Sequence, residues 1–128
     1  MKYNQLGRTG LFVSELCLGT MTLGGNADAG RWSAIGAVAQ DAANQLIAQA
    51  LSGGINFIDT AEMYPVPPRP ETQGLTEQYI GSWLKQRGSR DKIILASKVA
   101  GPSRGNDASI RPDMALDRKN IRAALDAS

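Results

Sequence analysis

At 128 residues the chain is long enough for one ordinary domain with a core of its own. Apolar residues at 42% and charged residues at 20% speak against a disordered tail and for a soluble globular protein. A dispersed net charge of +2 gives no reason to expect nucleic acid or an anionic membrane as a partner. No apolar stretch approaches a membrane span, and Met1-Lys2-Tyr3-Asn4-Gln5 lacks the apolar core of a signal peptide. The single Cys17 has no partner for an internal disulfide and sits in an apolar run. It is expected to be a buried small hydrophobe in a reducing cytoplasm.

Residues 3–6 and 11–13 flank Gly7-Arg8-Thr9-Gly10, which predicts a short hairpin with glycines in the turn. Residues 15–19 then read as a short buried strand, and residues 24–40, rich in Gly and Ala around Trp32, as a long loop. Asp41 is placed to cap a helix with Ala42, Leu46, Ala50 and Leu51 on one face, ending at Gly53-Gly54. The apolar run 55–58 follows, closed by Asp59, and leads to the proline-rich loop 65–70.

A second helix is expected over residues 75–87, with Leu75, Tyr79, Trp83 and Leu84 as its apolar stripe and Gly88 after its end. The run 93–97 is a third buried strand, closed by Lys98. A polar loop over 101–112 precedes a third helix from about Asp117, with Ile121, Ala124 and Leu125 on one side.

Short apolar strands alternating with amphipathic helices imply right-handed crossovers and a parallel sheet covered by helices. An open doubly wound sheet and a closed barrel both satisfy that order. The first strand-to-helix turn separates them. A dinucleotide-binding sheet wants Gly-x-Gly-x-x-Gly there, whereas Gly19 is followed by Thr20-Met21-Thr22-Leu23-Gly24-Gly25. Polar residues recur instead at the carboxyl ends of strands: Gly19-Thr20, Asp59 and Lys98. Barrel enzymes place their chemistry at those ends.

An acid, a phenol and an amine delivered together suit proton transfer to a carbonyl oxygen. Taken singly, each has a plainer reading: Asp59 as a cap or turn residue, Tyr64 as a half-buried aromatic, Lys98 as a solvated cation. A free tyrosine, with a pKa of about 10, is a weak acid at neutral pH. An ammonium beside a phenol stabilises the phenolate, and a carboxylate holds such an ammonium in place.

At these residues the chain resembles the aldo-keto reductase family along nearly all of its length. The hairpin and Leu18-Gly19-Thr20-Met21 are similar to that family's opening, and residues 54–64 match its signature around a catalytic Asp and Tyr. Residues 62–74, Ala96-Ser97-Lys98-Val99, Gly101-Pro102-Ser103-Arg104 and Leu116-Asp117-Arg118-Lys119-Asn120-Ile121-Arg122 are narrower, resembling the Tas-type bacterial branch. The resemblance implies a (β/α)8 TIM barrel closed at its bottom by the hairpin, and NADP(H) bound without a Rossmann motif. It makes Tyr64 the general acid, Lys98 its activator and Asp59 the partner of that lysine. Gly19, Thr20 and Met21 would lie beside the nicotinamide ribose, with Asp59 in reach of it. The implied activity is reduction of aldehyde or ketone carbonyls on a small-molecule substrate.

The family's fourth catalytic residue is a histidine, and this sequence has none. A full barrel needs about 250 residues, so residues 1–128 are expected to be the N-terminal part of one barrel domain, a hairpin and about three β/α units. Unpaired strand edges in such a unit would favour self-association. A non-catalytic NADP(H)-binding or regulatory protein of the same fold, or an inactive remnant, are the alternatives. Pro65-x-x-Pro68 has the spacing of a polyproline ligand but reads better as a stiff loop that positions Tyr64. Arg118, Lys119 and Arg122 read as a solvated helix face. No metal site is expected.

Overall fold

The computed structural model of the chain describes residues 1–26, 30–102 and 110–128. Strands β1 (Tyr3–Gln5) and β2 (Phe12–Ser14) form the expected antiparallel hairpin, with Tyr3 opposite Ser14 and Gln5 opposite Phe12. Asn56 fastens this hairpin to the rest of the fold. Its side chain accepts from the Ser14 N–H at 2.7 Å and donates to the Phe12 carbonyl at 2.9 Å. The Tyr3 hydroxyl adds a 2.7 Å bond to the Gly54 carbonyl. Gly54 has φ 90°, and a Cβ there would stand 3.0 Å from Met1 Cβ, so only glycine lets the hairpin sit this close.

A second sheet carries three parallel strands in the order β3 (Leu18–Gly19), β4 (Phe57–Asp59) and β5 (Ile94–Ala96). Helix α1 (Gln40–Ser52) connects β3 to β4, helix α2 (Leu75–Arg87) connects β4 to β5, and α3 (Arg118–Ala127) follows β5. The parallel α/β order is therefore as the sequence implied. Leu18, Ile58 and Leu95 share one register row and turn toward the helices, where Ile58 is fully buried among Ala43, Ile47, Ile80, Trp83 and Leu84. Side chains alternate along a strand, so the next row, Gly19, Asp59 and Ala96, faces the opposite way. That alternation separates the apolar core from the polar face.

Several local expectations are corrected. Helix α1 begins at Gln40 after Ala39 rather than behind an Asp41 cap, with no side-chain cap bond at its start, and the Gln40 side-chain amide donates to Asn44 Oδ1 one turn on and to the Tyr79 carbonyl. Asp41 falls in the first turn, where a negative charge suits the helix dipole. The buried face of α1 is Ala43 and Ile47, while Leu46 is 44% exposed. Both pairs have helical i, i+4 spacing, and only the contact with the sheet selects one. In α2, Thr76 and Ile80 are buried with Trp83 and Leu84, and Gly88 takes the left-handed φ of 60° expected at its end.

In α3 the buried positions are Asn120 and Ala124, with Ile121 and Leu125 exposed. The helix starts where expected, and Asp117 caps it, accepting the Asn120 N–H at 2.8 Å. The stretch 24–40 contains a 3-10 turn at Gly30–Ile35 and a bridge between Leu23 and Val38. Cys17 is exposed rather than buried, since the sheet face that it shares with Gly19 and Asp59 carries no covering element among the described residues. The side chain of Trp32, together with Ser103 and Arg104, lies outside the described residues. No described helix is long and apolar enough to cross a membrane.

Candidate active site

The three strands deliver their polar residues to one end of the sheet. Asp59 is the last residue of β4, and Lys98 stands two residues beyond β5 on the same alternating row. The ladder continues past both strands: the Thr60 N–H bonds to the Ala96 carbonyl at 2.8 Å, and the Glu62 N–H to the Lys98 carbonyl at 3.2 Å. This extension brings Lys98 Nζ to 2.6 Å from Asp59 Oδ1 and 2.6 Å from the Thr60 carbonyl. The same ammonium lies over the Tyr64 ring, 4.8 Å from its centroid.

Tyr64 is held by its backbone. Its N–H donates to Ala61, and its carbonyl accepts the Gly74 N–H, each at 3.0 Å. Beyond it the Val66 N–H donates to the Met21 carbonyl at 3.0 Å, tying the proline-rich loop to the loop after β3. The Tyr64–Pro65 and Val66–Pro67 peptides are cis.

The charges reinforce one another. Partial burial pulls the Lys98 pKa down, but the hydrogen bond and charge of Asp59, with a further contribution from Tyr64, outweigh it and raise the value above 10.5. Lys98 therefore carries its positive charge throughout the neutral range. Cys17, on the same face, is shifted upward from 9.0, first by the partial desolvation of its thiol and then by the Asp59 charge. A backbone hydrogen bond at Asp59 and the charge of Lys98 oppose this.

A cleft of about 190 Å³ lies beside Asp59 and Tyr64 and is lined also by Gly19, Thr20, Met21 and Thr22. All the sequence-derived cofactor residues thus border one hollow. Thr20 is 1% exposed and anchors it, its Oγ1 and N–H bonding to the Asp59 carbonyl at 2.7 and 3.2 Å. A Cβ on Gly19 would meet nothing within 4 Å, so the floor is open. The Asp59 side chain is 39% exposed despite its ion pair. A larger hollow of about 570 Å³ lies between α2 and the end of α3, but it contains none of Asp59, Tyr64 and Lys98. Among the described residues no group of three or more His, Cys, Asp or Glu could hold a metal ion.

The sequence did not single out Glu62 or Arg111. Glu62 is 7% exposed, and its carboxylate receives Arg111 in a two-pronged bond at 2.6 and 2.9 Å. Glu62 lies inside the motif that contains Tyr64, a signal of position only. Arg111 is 49 residues away, and no local pattern marks it.

A hairpin followed by parallel β/α units, with an acid, a phenol and an ammonium gathered where the strands end, is the opening of a (β/α)8 barrel protein. The chain belongs to the aldo/keto reductase family, whose model matches residues 15–128. It is 59% identical over 126 residues to the protein tas of Escherichia coli, a match covering 98% of this chain and 33% of that one. It is 36% identical over 93 residues to an NADP(+) aryl-alcohol dehydrogenase of Phanerodontia chrysosporium, covering 71% of this chain and 21% of that enzyme. Among solved structures it superposes on the holo form of an aldo-keto reductase of Bacillus halodurans with a TM-score of 0.69 and 32% identity, covering 99% of this chain and 35% of the other. The chain spans about a third of the length of the tas protein and of that solved structure.

Proposed function

We propose that residues 1–128 are the N-terminal part of a single aldo-keto reductase barrel domain, and that the enzyme they belong to reduces aldehyde or ketone carbonyls with NADP(H). The observation that carries this reading is the contact set around Lys98 Nζ: Asp59 at 2.6 Å and the Tyr64 ring centroid at 4.8 Å. Family membership and the NADP(+) in the name of one relative support the cofactor.

Gly19, Thr20, Met21 and Asp59 would hold the nicotinamide ribose in the cleft that they line. When bound, the reduced cofactor supplies hydride for the carbonyl carbon. Tyr64 donates its phenolic proton to the carbonyl oxygen. The Lys98 ammonium, fixed by Asp59 and the Thr60 carbonyl, offsets the negative charge that this transfer leaves on the phenol oxygen. Asp59 keeps the ammonium charged and in place. The same reading puts the protein in the cytoplasm, with a small-molecule substrate rather than a nucleic acid or a membrane, and makes the 128-residue chain inactive alone.

The test is steady-state NADPH oxidation by the complete protein containing this chain, over a broad panel of aldehydes. Multiple turnovers that fall at least about a hundredfold with Tyr64→Phe are expected, the lower end of what a positioned general acid contributes. Quenching of NADPH fluorescence without turnover would replace the enzyme by a binding or regulatory protein of the same fold.

A further inference from the structure

The Glu62–Arg111 pair lies outside the cleft, yet its bonds enclose the segment that presents Lys98. The Glu62 N–H donates to the Lys98 carbonyl at 3.2 Å, and Glu62 Oε1 accepts the Ala100 N–H at 2.5 Å. One residue thus grips the backbone both at Lys98 and two positions after it, continuing the β4–β5 ladder with a side chain where the strands have ended. Arg111 fixes the carboxylate that makes the second grip, through Nη1 at 2.6 Å and Nη2 at 2.9 Å. Its Nε donates to Asn120 Oδ1 at 3.2 Å, and Asn120 is held in turn by the Asp117 cap of α3. With side-chain exposures of 15% and 7%, the pair is shielded from solvent and holds one geometry.

We propose that Glu62, fixed by Arg111, is a positioning residue that sets the Lys98 ammonium against Asp59 and Tyr64. The plainer alternative is that the pair merely fastens the segment after residue 110 to the sheet. That role needs the Arg111 bonds but not the two backbone bonds around Lys98. Only the positioning role uses all of them. The inference rests on the reading of Asp59, Tyr64 and Lys98 as the reacting group, so its test avoids turnover.

The chain offers its own controls, since Lys2, Lys85, Lys92 and Lys119 are exposed like Lys98. Competitive acetylation of the complete protein containing this chain, with acetic anhydride across a pH series and read by peptide mass spectrometry, gives each of these lysines a titration midpoint and a rate. In the unaltered chain Lys98 is expected to react more slowly than the other four at pH 9, because Asp59 keeps it protonated. In Glu62→Gln its rate should rise by about threefold or more, the change that half a pKa unit produces. The four controls should be unchanged. Arg111→Gln leaves the carboxylate but removes its anchor, and should raise the Lys98 rate by a smaller factor.

A Lys98 rate equal to that of the unaltered chain in folded Glu62→Gln would overturn the positioning role. Should Glu62→Gln unfold by circular dichroism, Arg111→Gln decides: a raised Lys98 rate supports the proposal and an unchanged one overturns it. If Lys98 already reacts like the controls in the unaltered chain, the Asp59–Lys98 pair itself fails, and the reading of the site falls with the positioning role. The two failures are distinguishable.

Discussion

Lys98 and Asp59 are 39 positions apart in sequence and 2.6 Å apart in space, joined across adjacent parallel strands by ammonium and carboxylate. The spacing is set by register: Asp59 pairs with Ala96, and one further pair of residues along the ladder reaches Lys98. The pair raises the Lys98 pKa, so the sign of its pH dependence follows directly. The stabilisation is fully present below the unfolded value of 10.5 and is lost as pH rises through the higher folded value. With the Asp59 carboxylate replaced in Asp59→Asn, burial should dominate and the Lys98 midpoint should fall. Competitive acetylation measures this, and a midpoint unchanged by the substitution would show that Asp59 does not hold the charge.

Cys17 reports on the same field from the other side. Its thiol is raised above 9.0 by partial desolvation and by the Asp59 charge, and lowered by Lys98. Alkylation with iodoacetamide at pH 8 should therefore be slower than for a free thiol. Asp59→Asn should speed it and Lys98→Met should slow it further, since thiolate is the reacting form. Rate changes of the same sign in both variants would contradict the charge arrangement.

Asn56 is expected to matter far more than a polar residue at a strand start ordinarily does. Asn56→Ala strips the Ser14 N–H of its acceptor, and Ser14 is 4% exposed. An orphaned buried donor costs about 1–3 kcal/mol, so the denaturant midpoint should drop accordingly. Proteolysis should open first at the hairpin. A midpoint within about 0.3 kcal/mol of the parent value would mean that the hairpin docks through its apolar contacts instead.

The 128-residue chain alone should associate. Strand β5 pairs only with β4 among the described residues, and Phe12, Leu16, Leu116 and Leu125 are each more than half exposed. Open edges and apolar patches recruit further copies. Sedimentation at micromolar concentration should give species heavier than 13.6 kDa. A single species of that mass would show that these surfaces are tolerated by the monomer.

The element order, the strand carrying Asp59 and the start of α3 near Asp117 were legible in the sequence because each depends on neighbours in the chain. Alternating apolar runs mark strands, and a short polar side chain before a helix satisfies its free N–H groups. The grouping of Asp59, Tyr64 and Lys98 was anticipated through resemblance and strand ends, but their distances were not. The choice of Ala43 and Ile47 over Ala42 and Leu46, the exposure of Cys17 and the Glu62–Arg111 bond belonged to the tertiary structure. In the helix both faces had the same spacing, so only packing against the sheet could decide. Cys17 lies in an apolar run, and which face of the sheet is covered is not a local property. Glu62 and Arg111 are ordinary charged residues until the segments after β4 and before α3 bring them together in a largely buried place.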